Sequence, residues 1–231
     1  LTKKGKVCIT TGHNYLDSLL GGGFPIRSIV NLELDSDVSP TVPITLLSRA
    51  ISNFIDTENI VLLLPFEGLN QSYTNYTGTG RRDFPESEVA RFNADVMRDA
   101  PRLVTVEQPS MSFERKLTSF QETISKIRKN NPRKLLSTII GSEFVHKTRD
   151  RMRDNADSLV TFLKSNSDLS IIVSRHPQET PYIAGISDVY MRIISLKGTL
   201  LLQPEKPWSN LHVLNPDKRL DPVRMNLEPI V

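Results

Sequence analysis

Residues Ile60 to Leu64 form an unbroken apolar run, Ile-Val-Leu-Leu-Leu. A strand with one face in water alternates apolar and polar residues, so an unbroken run belongs to a strand covered on both faces by helices. Leu135 to Ile140 and Leu169 to Ser174 are buried strands of the same kind, and Ser28 to Leu34 is a further one. Between them lie segments with helical periodicity. After Thr41 the apolar positions are Ile44, Leu47, Ile51, Phe54 and Ile55, and Pro43 falls in the tolerant first turn. Phe113, Leu117, Phe120, Ile124 and Ile127 recur at spacings of four and three, and Ala156, Leu159, Val160 and Leu163 mark the inner face of a helix from Arg149 to Ser165. Ser87 to Arg98, with Val89, Phe92 and Val96 on one face, reads as another helix, and Leu103 to Val106 as a strand after it. The expectation is an α/β fold with a mainly parallel sheet flanked by helices. The tail differs. Val189 to Ser195, Thr199 to Gln203 and Leu211 to Leu214 suit an antiparallel meander whose first turn is Lys197-Gly198.

At 231 residues with 38% hydrophobic content the chain can bury one substantial core, and a single domain over residues 1–231 is expected. It starts at Leu1 rather than Met, which suggests sequence upstream. One cysteine, Cys8, excludes an internal disulfide framework and suits a reducing compartment. No apolar run approaches the ~20 residues of a membrane span and no signal peptide is visible, so a cytoplasmic protein with no membrane partner is expected. A net charge of +3 permits nucleic-acid or acidic-protein partners without selecting either. The four histidines and the cysteine have no metal-ligand spacing.

The stretch Thr11 to Thr41, TGHNYLDSLLGGGFPIRSIVNLELDSDVSPT, carries the functional argument. It reads as a loop and short helix, three glycines, the strand Ser28 to Leu34, and a turn opening the next helix. A strand, turn and helix in that order can hold nucleotide phosphates, because a helix N-terminus presents free N–H groups and a positive dipole end. Such a loop needs glycines, a lysine and a Ser or Thr. Here it is Leu34-Asp35-Ser36-Asp37-Val38-Ser39-Pro40-Thr41. It has no glycine and no lysine, Asp35 and Asp37 repel phosphate, and Pro40 removes a backbone donor.

The pattern TG-x3-LD-x-LLGGG-x-P-x2-S before a hydrophobic strand resembles the opening of RecA-like ATPases of the KaiC/RadA type. Thr11, Gly12, Leu16, Asp17, Leu19 to Gly23, Pro25, Ser28, Glu33, Asp35 and Thr41 match it. Leu34, Asp37 and Ser39 stand where that family has glycines, and Pro40 where it has the lysine. The resemblance implies a RecA-like core followed by the meander. It also places Glu67 at the first of two glutamates that activate water in that family, with Gly68 at the second. Gly141 stands where the family has its magnesium-holding aspartate, with Glu143 two positions late. Asn215-Pro216-Asp217 replaces a Lys-x-Arg that reaches the neighbouring subunit's nucleotide, while Asp221-Pro222 keeps the Asp-Pro that follows it.

With the lysine, the glycines, the aspartate and the trans-acting cations all missing, hydrolysis loses several contributions of a few kcal/mol each. The expectation is therefore a catalytically inactive pseudo-ATPase with no cofactor. It would act as a regulatory or scaffolding protein through self-association or association with active RecA-like paralogues, similar to inactivated archaeal KaiC-like regulators implicated in signal transduction. A second reading is nucleic-acid binding, as in the P-loop-less Elongator subunits of RecA-like fold or recombinase accessory proteins. Tyr73, Tyr76, Arg81 and Arg82, in a loop from residue 68 to 87, and the basic residues Lys126 to Lys129 would carry it. A third is a nucleotide sensor that binds without hydrolysing, resting on Thr41 and Glu67. Arg175-His176 read as ordinary loop residues.

Overall fold

The computed structural model describes residues 7–39, 41–57, 59–64, 103–105, 113–130, 135–140, 149–174, 180–217 and 224–230. A hairpin of β1 (Cys8–Ile9) and β2 (Phe24–Pro25) brackets α1 (Asn14–Leu19). The main sheet has nine strands: β3 (Ser28–Leu34), β4 (Ile60–Leu64), β5 (Leu103–Thr105), β6 (Leu135–Ile140), β7 (Leu169–Ser174), β8 (Val189–Leu196), β9 (Thr199–Lys206), β10 (His212–Asp217) and β11 (Arg224–Pro229). Four further helices are α2 (Thr41–Asp56), α3 (Phe113–Asn130), α4 (Arg149–Asn166) and α5 (Thr180–Ile186).

The strands lie in the order β11-β10-β9-β8-β3-β7-β6-β4-β5. From β8 to β5 every pair is parallel, and from β8 to β11 every pair is antiparallel. This is the α/β arrangement expected, a mainly parallel sheet ending in an antiparallel meander. The expected helix over residues 87–98 lies outside the described residues.

Burial explains why the sequence runs looked as they do. Every residue of β3 and β7 is buried, because helices cover both faces. On one face Val30, Leu32, Leu34, Val61, Ile171 and Val173 meet Leu16 of α1 and Leu46, Leu47, Ile51 and Phe54 of α2. On the other, Ile29, Ile60, Leu62 and Ile172 meet Phe120, Ile124 and Ile127 of α3, Leu159 and Leu163 of α4, and Ile183 of α5. Phe120, Ile124 and Ile127 of the stripe predicted for α3 thus lie on its core face; burying each such side chain contributes about 1.5–3 kcal/mol. β8 instead alternates buried and half-buried positions from Val189 to Ile194, and among the described residues none of it joins the core beneath α3, α4 and α5.

Four elements after β7 depart from the sequence expectation. β9 runs on to Lys206 and β10 to Asp217, past the expected Gln203 and Leu214, because each is held by a paired neighbour. β11 and α5 were not anticipated. Among the β11 residues whose burial is described only Met225 is buried, too little apolar signal to mark a strand, and its place follows from pairing with β10.

Candidate functional site

In open parallel sheets ligands bind outside the carboxyl ends of the strands, where the strand order reverses. β3 is that point here, since the chain leaves it toward β4 and returns to its other side as β8. The segment following β3 is therefore the candidate site.

Its backbone closes on itself. The Asp35 N–H donates to the Ile193 carbonyl at 2.9 Å, carrying the β3–β8 ladder one residue past the strand. The Val38 N–H donates to the Asp35 carbonyl at 3.0 Å, which makes residues 35–38 a turn. The Val38 side chain is fully buried in the core that also holds Val42 and Leu46. The Val42 N–H donates to the Ser39 carbonyl at 3.0 Å, starting α2. Asp35, Ser36, Asp37 and Ser39 are exposed, and the Ser36 hydroxyl donates to Asp37 Oδ1 at 3.0 Å. No residue from Leu34 to Ser39 has a positive φ. A phosphate nest alternates right- and left-handed residues so that successive N–H groups converge. This loop instead turns a valine inward and two carboxylates outward.

Thr41 opens α2, as expected. Pro40, Glu67, Gly141, Tyr73, Tyr76, Arg81 and Arg82 lie outside the described residues, as do Arg175 and His176. Of the predicted site, the structure therefore brings together Leu34 to Ser39 and the start of α2.

The motif before β3 has a structural role independent of phosphate. The Asp17 carboxylate accepts from the Thr11 N–H at 2.7 Å and from the Thr10 hydroxyl, tying the loop to α1. The Asp17 carbonyl accepts from the N–H groups of Gly22 and Gly23 at 2.7 and 3.2 Å. Gly12 and Gly23 have positive φ, and a Cβ on them would come within 2.3 Å of Arg49 Cβ and 2.4 Å of the Ile9 carbonyl oxygen. His13, buried, approaches the Leu46 carbonyl through Nε2 at 3.1 Å, and Arg49 of α2 donates to the Gly12 carbonyl at 3.1 Å. Burial lowers the His13 pKa below its ordinary value, more than the Leu46 hydrogen bond raises it, and Arg49 lowers it further.

A polar row across β3, β7 and β8 escaped the sequence reading. Tyr190 of β8 donates its hydroxyl to Oε2 of Glu33, and Arg192 lies 3.6 Å from Oε1. The Glu33 side chain is only 8% exposed, so the pair removes a carboxylate from water. Burial, and then the hydrogen bond to Glu33, push the Tyr190 hydroxyl well above its ordinary pKa. Beside them Ser174 donates to Oδ1 of Asn31 at 2.9 Å, while Asn31 Nδ2 has no partner. The available signal was local: Asn31 and Glu33 are alternate polar residues in an otherwise apolar strand.

The basic face of α3 divides in two. Arg115, Lys126 and Lys129 are exposed. Arg128 is not part of that surface: it pairs with Asp168 at 2.6 Å and donates through Nε to the Asn166 carbonyl, joining the end of α3 to the end of α4. Of the basic residues Lys126 to Lys129 expected to carry nucleic-acid binding, Arg128 is thus engaged by the end of α4.

No protein-family model matches the chain, and no curated protein matches it. Solved structures do. A KaiC-like protein of the hyperthermophilic archaeon Pyrococcus horikoshii OT3 superposes with a TM-score of 0.68, over 96% of this chain and 99% of that one. The chain has a RecA-like fold. Identity to that KaiC-like protein is 13%, so the likeness is one of architecture.

Proposed function

We propose that this chain is a catalytically inactive RecA/KaiC-like protein, a pseudo-ATPase, that acts as a regulatory or scaffolding partner in signal transduction. It associates with itself or with active RecA-like paralogues. The observation that carries the reading is the turn at residues 35–38, with the Val38 N–H spent on Asp35, the Val38 side chain in the core, and Asp35 and Asp37 facing solvent. An incoming triphosphate meets negative charge where a phosphate loop offers converging donors. What the fold keeps intact is its framework: the Thr10/Thr11–Asp17 cap, both core faces and the meander.

Thermal unfolding and calorimetric titration with millimolar ATP, ADP and magnesium test it. A ligand at about 100 times its dissociation constant stabilises by roughly 2.7 kcal/mol, a plainly visible shift in midpoint. No shift is expected. A saturable shift overturns the reading in favour of a nucleotide sensor. Association is read separately, by the mass of the species under native conditions alone and with a RecA-like paralogue.

A second reading, nucleic-acid binding, is favoured by the exposed Arg115, Lys126 and Lys129 on α3. Its test is binding to single-stranded DNA and to tRNA at several salt concentrations, where phosphate contacts give a steep salt dependence.

A further inference from the structure

We infer that the segment from Thr10 to Leu20, which carries α1, is an acid-opened latch held shut by two buried neutral imidazoles, His13 at its start and His212 beneath it. His13 and His212 are both almost fully buried, at 6% and 1% exposure, and they are far apart in sequence. They secure the same short element. His13 reaches the Leu46 carbonyl of α2 through Nε2, and His212 of β10 lies 3.3 Å from the Tyr15 hydroxyl with the two rings 5.3 Å apart. Between these points α1 inserts Leu16 into the core shared with α2.

A proton added to either ring has little to compensate it. Around His13 the charged groups are Arg49 from α2, which opposes a second cation, and Asp17 from α1, which favours one but already accepts from Thr10 and Thr11. Around His212, α1 presents the neutral Tyr15, β9 presents Leu202 across the ladder, and β11 presents Pro229. The carbonyls of Leu202 and Asn210 lie close enough to favour the proton, but Nδ1 forms no hydrogen bond. Glu228 neighbours Pro229 on β11 and so projects from the opposite face of the sheet. Burial therefore dominates at both rings and depresses both pKa values from 6.5. An opened latch hydrates both imidazoles and lets them charge, so acid favours the open form. The β3–β7 core contains neither ring and stays closed.

Hydrogen exchange of the whole chain, corrected for the intrinsic pH dependence, reads this directly. Lowering the pH from about 7.5 to about 5.5 should reduce protection of peptides spanning residues 10–20 by at least about tenfold, one pKa unit's worth, with β3 and β7 peptides unchanged. In a His13→Gln/His212→Gln variant, whose side chains still donate but do not titrate, the pH step should vanish. Unchanged protection of the segment, or loss of protection throughout the chain together, overturns the latch. If the variant does not fold, imidazole titration of the wild-type protein by NMR decides. Both rings should titrate below 6.5 in step with the α1 amides, and either ring titrating at or above that value sinks the proposal.

Discussion

Tyr190, near the start of β8, donates its hydroxyl to the buried carboxylate of Glu33, near the end of β3. The residues are 157 positions apart, and the bond lets an acidic side chain sit inside an otherwise apolar strand. Tyr190→Phe removes a hydrogen bond to a charged group and should lower stability by about 1.5–3 kcal/mol in denaturant unfolding. Because the Tyr190 pKa is raised above its ordinary 10.0, the folded state keeps a proton that the unfolded chain releases. Stability should therefore fall as pH rises above about 10, and this dependence should weaken in Tyr190→Phe.

Val38→Ala should cost about 2 kcal/mol, from two methyl groups at about 0.8 kcal/mol each and the cavity they leave. At an open phosphate loop the same change would be nearly neutral. Chemical denaturation separates the two cases, and a change below about 0.5 kcal/mol would mean that Val38 is not a core residue.

Asp17→Ala should lower stability by about 1.5–3 kcal/mol, since the carboxylate accepts two hydrogen bonds that close the loop. Gly23→Ala should destabilise at least as much, because a Cβ meets the Ile9 backbone and the residue has φ +113. Thermal midpoints of the two variants check this without any ligand.

On α3 the prediction is a division of labour. Arg128→Met removes the cation paired with Asp168, whose side chain is 17% exposed, and should cost about 1.5–3 kcal/mol, the worth of a hydrogen bond to a charged group. Lys126→Ala and Lys129→Ala should leave stability within about 0.5 kcal/mol of wild type. If the chain binds nucleic acid through this face, each lysine change should flatten the slope of log affinity against log salt by about one. A steep slope untouched by both would remove α3 from that surface.

Much of the fold was legible because burial writes a local pattern. The bounds of β3, β4, β6 and β7 coincide with the apolar runs, and the α3 stripe at Phe120, Ile124 and Ile127 is its core face. The residue content of the loop after β3 was equally legible, since a glycine or a lysine is present at a position or it is not. What escaped were elements and contacts with no local period. β11 carries one buried residue among those described and α5 is seven residues long, so neither produces a periodic signal above its neighbours.

The sequence by itself determined which segments must be strands covered on both faces, which must be amphipathic helices, and that the loop after Leu34 contains neither glycine nor lysine. Strand order was decided only in three dimensions. So were the turning of Val38 into the core, the withdrawal of Arg128 from the basic face by Asp168, and the meeting of Glu33 with Tyr190 and of Tyr15 with His212. The reason is physical. Periodicity records how each segment divides its own faces between core and water, whereas the partner of a polar group in the core is chosen by which distant segment the fold carries to its side.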